Sequence, residues 1–244
     1  MSDCIITRRN SVKKTDLINI WTTGASAPAS AARYTSQLHK GKIYCIQNYG
    51  TAMHIYDIAT NTWSTGASAP VGADRNTSQL YNGRIYYPQT KGTAIHIYDI
   101  ATNTWSTGAE APASAIRITS QLYNGKIYCP DYDGTAMHIY DIATDTWSTG
   151  ALAPANEKRY TSQLYNGKIY CPENLGTAMQ IYDIATDTWS TGASAPASVA
   201  RYTSQLYNGK IYCPRSGGAE IHIYDIATNT WSTGASAPAS VARY

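Results

Sequence analysis

An all-β chain, made of one antiparallel meander repeated in tandem, is what three observations predict. Trp21, Trp63, Trp105, Trp147, Trp189 and Trp231 recur every 42 residues, and a period of that size belongs to a solenoid, a propeller or an array. The composition favours strands, with 21 Tyr, 6 Trp and only 14% charged residues in a chain of 244, because aromatic and β-branched side chains suit a pleated, half-buried surface. No segment carries the apolar period of an amphipathic helix, and Gly and Pro fall only where turns are needed.

Each period is best read from its leading arginine. After Arg201, "YTSQLY" (202–207) predicts a first strand, and the dipeptide "NG" at 208–209 is a strong hairpin signal. "KIYC" (210–213) is the second strand, a variable stretch opens with Pro214, and "AEIHIYDI" (219–226) is the third. The turn "ATNT" leads into "WSTGAS" (231–236) as the fourth strand, which Ala-Pro closes. The repeated Asp57, Asp99, Asp141, Asp183 and Asp225 can cap the following turn by accepting backbone N–H bonds. The Trp that follows is expected to pack between neighbouring units, with Tyr and Ile of the third strand alternating between the two sheet faces. Four strands in 42 residues is the length of a propeller blade.

"IYDIATNTW", followed by a Pro and then an Arg ahead of the next strand, resembles the Kelch repeat. The likeness covers about residues 33–242 strongly and 4–32 weakly. Two features depart from the Kelch pattern: Cys-Pro stands where a Gly-Gly pair is usual, and the period is shorter than the family's roughly 50 residues. The period would suit WD repeats, but Tyr-Asp replaces their Trp-Asp. The resemblance implies a Kelch-like β-propeller of four-stranded antiparallel blades, and with it a protein-interaction module reading short peptides through a loop face.

The whole of 1–244 reads as one propeller domain, with repeats at 33–74, 75–116, 117–158, 159–200 and 201–242 and a degenerate partial blade at 1–32. Cys4 and Trp21 stand seventeen apart, against eighteen for Cys213 and Trp231, so 1–32 supplies a worn second, third and fourth strand. Arg243 and Tyr244 restart the pattern. The expectation is six blades with an incomplete closing blade that lacks most of its inner strand; five blades plus an N-terminal extension is the alternative. An unpaired edge there makes the chain either a monomer or an edge-paired homo-oligomer.

The repeats differ from one another mostly in two places. Between 159–200 and 201–242 eight positions differ, seven of them within 173–180. The same stretch carries Gln47, Asn48 and Tyr49, then Gln89 and Lys91, then Asp131, Tyr132 and Asp133, then Glu173 and Asn174, then Arg215. The second variable place, before each leading Arg, includes Asp74, Glu157 and Lys158. Loops of a meander alternate between its two ends, so all this variety shares one face, as recognition residues on a rigid frame would. Arg33, Arg75, Arg117, Arg159, Arg201 and Arg243 precede the innermost strands of the same face. As a ring around a channel mouth they would hold an acidic peptide by charge-assisted bonds; as scaffold they would bond backbone carbonyls and stack on Tyr.

The expected function is therefore a non-enzymatic binding propeller, with a protein or peptide ligand, acidic if the arginines are free, on the variable face. A glycan is an alternative ligand, and a recently amplified or designed symmetric scaffold without a ligand is an alternative reading. Catalysis needs a singular convergent cluster, whereas His54, His96, His138 and His222 are repeat-equivalent, so no catalytic residue, metal or cofactor is expected. A net charge of +3 with dispersed Lys and Arg excludes nucleic acid and membrane surfaces as partners on charge grounds. Lacking a secretory h-region, the chain is expected in the cytoplasm. Cys45, Cys129, Cys171 and Cys213 lie one whole unit apart, too far to bridge, and should be buried small apolar groups.

Overall fold

The computed structural model describes residues 23–29 and 31–237, and the regular structure in them is entirely β. Five four-stranded antiparallel sheets follow one another along the chain, each paired in strict sequence order without a crossover. The first uses Ser36–His39, Lys42–Ile46, Met53–Asp57 and Thr62–Gly66, and the third uses Gln121–Tyr123, Lys126–Pro130, Met137–Asp141 and Thr146–Gly150. The other three sheets occupy the corresponding places in their repeats. A short extra ladder joins Lys91–Gly92 to Ala115–Ile116. Residues 1–22, including Cys4 and Trp21 of the partial blade, and Arg243 lie outside the described residues.

The turns form for the expected reasons. Asn82 and Gly83 take φ of 46° and 73°, with the same pair of values recurring at the other Asn-Gly turns, and this left-handed pair matches the twist of a two-residue hairpin. Asp57 Oδ1 accepts the N–H groups of Ala59 and Thr60 at 3.0 and 3.1 Å, while its Oδ2 meets Lys42 Nζ at 2.7 Å. The lysine bond and the backbone bond from Thr60 hold the Asp57 carboxyl down to about 2.

First strands are shorter than the sequence suggests, because Thr and Ser at their start bond sideways to the next repeat. Thr119 Oγ1 meets Ser162 Oγ at 2.8 Å, and Gln121 Nε2 donates to Ser162 O at 2.8 Å. The same bonds recur in four consecutive seams. Farther out, Trp147 Nε1 donates to Ala109 O at 2.9 Å, and Asp145 Oδ1 accepts both Tyr140 Oη–H and the N–H of Ala109. Unit-to-unit stacking is thus specified by hydrogen bonds as well as by packing.

The apolar core lies in these seams. Tyr128 and Met137 of one repeat pack on Ile169, Cys171 and Tyr182 of the next, with Leu164 and Trp189 at the margin. Second-strand residues alternate in period two, so Ile127 and Cys129 face the preceding repeat while Tyr128 faces the following one. Burial keeps the free thiols of Cys129, Cys171 and Cys213 protonated, pushing each up to about 12. They act as small apolar side chains.

Tyr34, Asn76, Ile118, Tyr160 and Tyr202, the residues after each leading Arg, line a single cavity. The first strands of all five repeats therefore begin around one axis, as in a β-propeller. Residues 24 and 25 already behave like part of a preceding unit: Trp63 Nε1 donates to Ala25 O at 2.8 Å, and Ala25 N donates to Asn61 Oδ1 at 2.8 Å.

Candidate functional site

The two families of loops separate as the meander requires. Tyr49 Oη donates to Asp74 Oδ2 at 2.9 Å, and Tyr49 N donates to Ala73 O at 3.0 Å, so the two variable places are in contact on one face. The uniform turns gather on the other face, where His39, Asn82, Asn124, Asp99 and Asp141 border a cavity of about 980 Å³.

The variable residues fall into three groups. Tyr49, Lys91, Asp133 and Lys158 are exposed. Gln47, Asp74, Gln89, Asp131, Tyr132, Glu157, Glu173 and Arg215 are half-buried, with Arg215 Nη1 on Glu220 Oε2 at 2.7 Å and Glu173 Oε2 accepting Ala178 N at 3.1 Å. Burial, then the neighbouring Glu173 carboxylate, raises the Glu157 carboxyl above its usual range. Asn48 and Asn174, by contrast, are buried and bonded inward: their Oδ1 atoms accept the N–H of Arg75 and Arg201 at 2.7 and 2.6 Å. These two are corrected from ligand contacts to seam residues.

The leading arginines are corrected as well. Arg75, Arg117, Arg159 and Arg201 are at most 1% exposed, so they do not ring an open mouth. Arg201 Nη1 donates to Glu173 O at 3.0 Å and Gly176 O at 2.8 Å, and its Nη2 donates to Ala197 O at 2.7 Å. Each guanidinium also lies over a Trp of its own repeat, 5.2–5.9 Å from the ring centroid, rather than over Tyr. Each arginine thereby ties the variable loop of the repeat before it to the linker, and its burial keeps the guanidinium away from any anion at the surface. Arg33 is half-buried and binds Ala29 O at 2.9 Å in the same manner.

What occupies the axis instead is the next residue along. The cavity among Tyr34, Asn76, Ile118, Tyr160 and Tyr202 measures about 440 Å³, within the size of a small-ligand pocket. Tyr132 reaches its rim: its ring stands edge-on to Tyr160 with centroids 4.7 Å apart, and Tyr160 stands edge-on to Tyr202 at 4.8 Å. Tyr132 Oη donates to Tyr160 Oη at 3.2 Å, and burial first, then Tyr160, raises the Tyr132 phenol well above its ordinary value. The surface is aromatic and uncharged. Sequence reasoning missed these residues, although a signal was present: within "R-x-T-S-Q-L" only x varies among repeats, as Tyr, Asn, Ile, Tyr and Tyr.

Among the described residues no three His, Cys, Asp or Glu side chains gather as metal ligands, and no helix is long and apolar enough to cross a membrane.

Fold and face together define a repeated, propeller-like scaffold that presents an aromatic axial cavity. No protein-family model matches the chain, and no curated protein matches it. Among solved structures it is similar to the computationally designed Ika8 protein, with a TM-score of 0.64 at 14% identity over 87% of this chain. The chain spans 65% of the length of that structure. At such identity the likeness is one of fold alone.

Proposed function

We propose that this chain is a non-enzymatic binding module, a Kelch-like six-bladed propeller whose closing blade is built partly from its N-terminal residues. Its ligand is a protein or peptide that places an apolar or aromatic side chain in the axial cavity. One observation carries the reading: the single position that varies within the otherwise uniform Arg-x-Thr-Ser-Gln-Leu sequence supplies all five residues lining that cavity. The six-blade count is supported by Ala25, which serves Trp63 as Ala109 serves Trp147.

With the guanidiniums buried, an acidic ligand loses its reason, and the Tyr lining favours stacking and apolar contact. A second reading, a scaffold without a ligand, draws on the repeated arginine bonds and on the likeness to a designed protein. A peptide and glycan array probed with the parent and with Tyr160→Ala/Tyr202→Ala separates them. Saturable binding lost in a variant that still melts cooperatively supports the cavity; absence of any binding by the parent favours the scaffold.

A further inference from the structure

Four seams within the chain are built from the same parts, and among the described residues two matching half-seams have no counterpart. Ser78, Ser120, Ser162 and Ser204 each accept from the Gln Nε2 of the repeat before and share a hydroxyl–hydroxyl bond with its Thr. Ser36 holds that position in the first repeat, and Thr203 and Gln205 hold the donor positions in the fifth; no described residue bonds to any of the three side chains in this way.

Apolar packing reports the same two openings. Tyr44, Tyr86, Tyr128 and Tyr170 are 4–5% exposed, whereas Tyr212 of the fifth repeat is only half-buried. Ile85, Ile127, Ile169 and Ile211 are fully buried, whereas Ile43 of the first repeat is half-buried. At the inner strands the contrast is largest: Leu38 is 61% and Tyr207 66% exposed, while Leu80, Leu122, Leu164 and Leu206 pack into seams.

The opening is narrow. On the first repeat its outer part is covered, since Gly24 lies against the Tyr56 hydroxyl and Ala25 against Asn61 and Trp63. Residues 1–32 contain no Thr-Ser-Gln-Leu sequence, although every full repeat does. Among the described residues, the part that no segment supplies is one inner strand.

We propose that this slot, facing the axis between the first and fifth repeats, takes an extended strand from another polypeptide whose side chains follow the repeat's own Thr-Ser-Gln-Leu-Tyr pattern. Its Gln and Thr would bond Ser36, its Ser would receive Thr203 and Gln205, its Leu would cover Tyr207, and its Tyr would cover Leu38. Each contact extends an interface that the chain already makes four times. The inference is independent of the axial-cavity reading, since it uses different residues.

The test adds a synthetic nonapeptide with the sequence of residues 201–209 to the full chain and follows labelled-peptide anisotropy together with thermal melting. Saturable one-to-one binding with a rise in Tm is expected. Replacing Gln205→Ala or Leu206→Ala within the peptide should weaken binding about tenfold each. Leu38→Asp and Gln205→Ala in the protein, both at exposed positions, should weaken it while leaving cooperative melting intact. Absence of binding, equal binding of a scrambled peptide, or a dimer of the chain that excess peptide fails to dissociate would each overturn the proposal; the last would assign the slot to a second copy.

Discussion

Gln180 Oε1 accepts the Nε–H of Arg159 at 2.7 Å, and Arg159 Nη2 donates to the same oxygen. In the first, second and fifth repeats a histidine Nδ1 stands there instead, 3.1 Å from Arg33 Nε, 3.3 Å from Arg75 Nη2 and 3.0 Å from Arg201 Nη2. A guanidinium is always charged and donates only, so each imidazole must be neutral with Nδ1 unprotonated.

Acid should therefore weaken the fold in a defined window. Burial, then the adjacent arginine, lowers His96 and His138 to about 4, and the same causes lower His54 and His222. Between the unfolded value near 6.5 and about 4, the unfolded chain binds protons that the folded chain refuses, so stability falls as pH drops through that range. For His96 and His138 the loss approaches roughly 3 kcal/mol each. Urea midpoints taken every half unit from pH 7.5 to 4 should decline throughout; a flat profile down to pH 4.5 would refute the assignment. Below that window, protonation of the aspartates that cap the turns adds a separate loss, because their folded values are lowered.

His138→Gln should stabilise the protein. Both ring nitrogens of His138 and Nε of Arg117 are buried without hydrogen-bond partners, and each such atom costs about 1–3 kcal/mol. Gln180 shows the arrangement that would satisfy them. A gain of about 1 kcal/mol at pH 7 is expected, widening at pH 5, where the histidine would also have to resist protonation. An unchanged midpoint at both pH values would mean that the glutamine does not adopt the Gln180 geometry.

Removing a leading arginine should destabilise rather than merely abolish binding. Arg117→Ala strands the carbonyls of Gly92 and Ala113, which its Nη1 and Nη2 reach at 2.7 and 2.9 Å, and it empties the space over Trp147. A loss of about 3 kcal/mol is expected. Arg117→Lys should recover little of it, since an ammonium cannot span both carbonyls. If Arg117→Ala melts with the parent, the arginine is not the tie between loop and linker.

The repeat was legible in the sequence because every element announced itself locally: Asn-Gly for the hairpin, Asp for the capped turn, and Tyr and Ile in period two. The depth of the arginines was not. Their position before an inner strand placed them on the correct face, but whether a guanidinium points to solvent depends on carbonyls 25 to 28 residues away, such as Gly176 O and Glu173 O for Arg201. Asn48 and Asn174 misled in the same way, varying among repeats yet turning inward to the Arg75 and Arg201 amides. Variation alone could not separate loop tip from seam. The axial residues were visible as the one unsettled letter of "R-x-T-S-Q-L", a smaller signal than the loops around it.

The hairpin of the first repeat offers a measure of how strongly turn chemistry holds the fold. Lys40 occupies φ 45° where Asn82, Asn124, Asn166 and Asn208 stand in the other repeats at 46–47°, and Gly41 follows it as Gly does elsewhere. A residue other than Gly, Asn or Asp pays about 1 kcal/mol for that left-handed conformation, and nothing crowds the glycine beside it that a substitution would disturb. Lys40→Asn should therefore stabilise the protein by about 1 kcal/mol, seen as a Tm about 3 °C higher for a chain of this size. The reciprocal Asn124→Lys should lower Tm by a similar amount. Opposite shifts of matching size would show that the turns contribute independently and alike in each repeat. A shift in only one direction would show that the first repeat, with its open face, does not share the cooperative unit of the third.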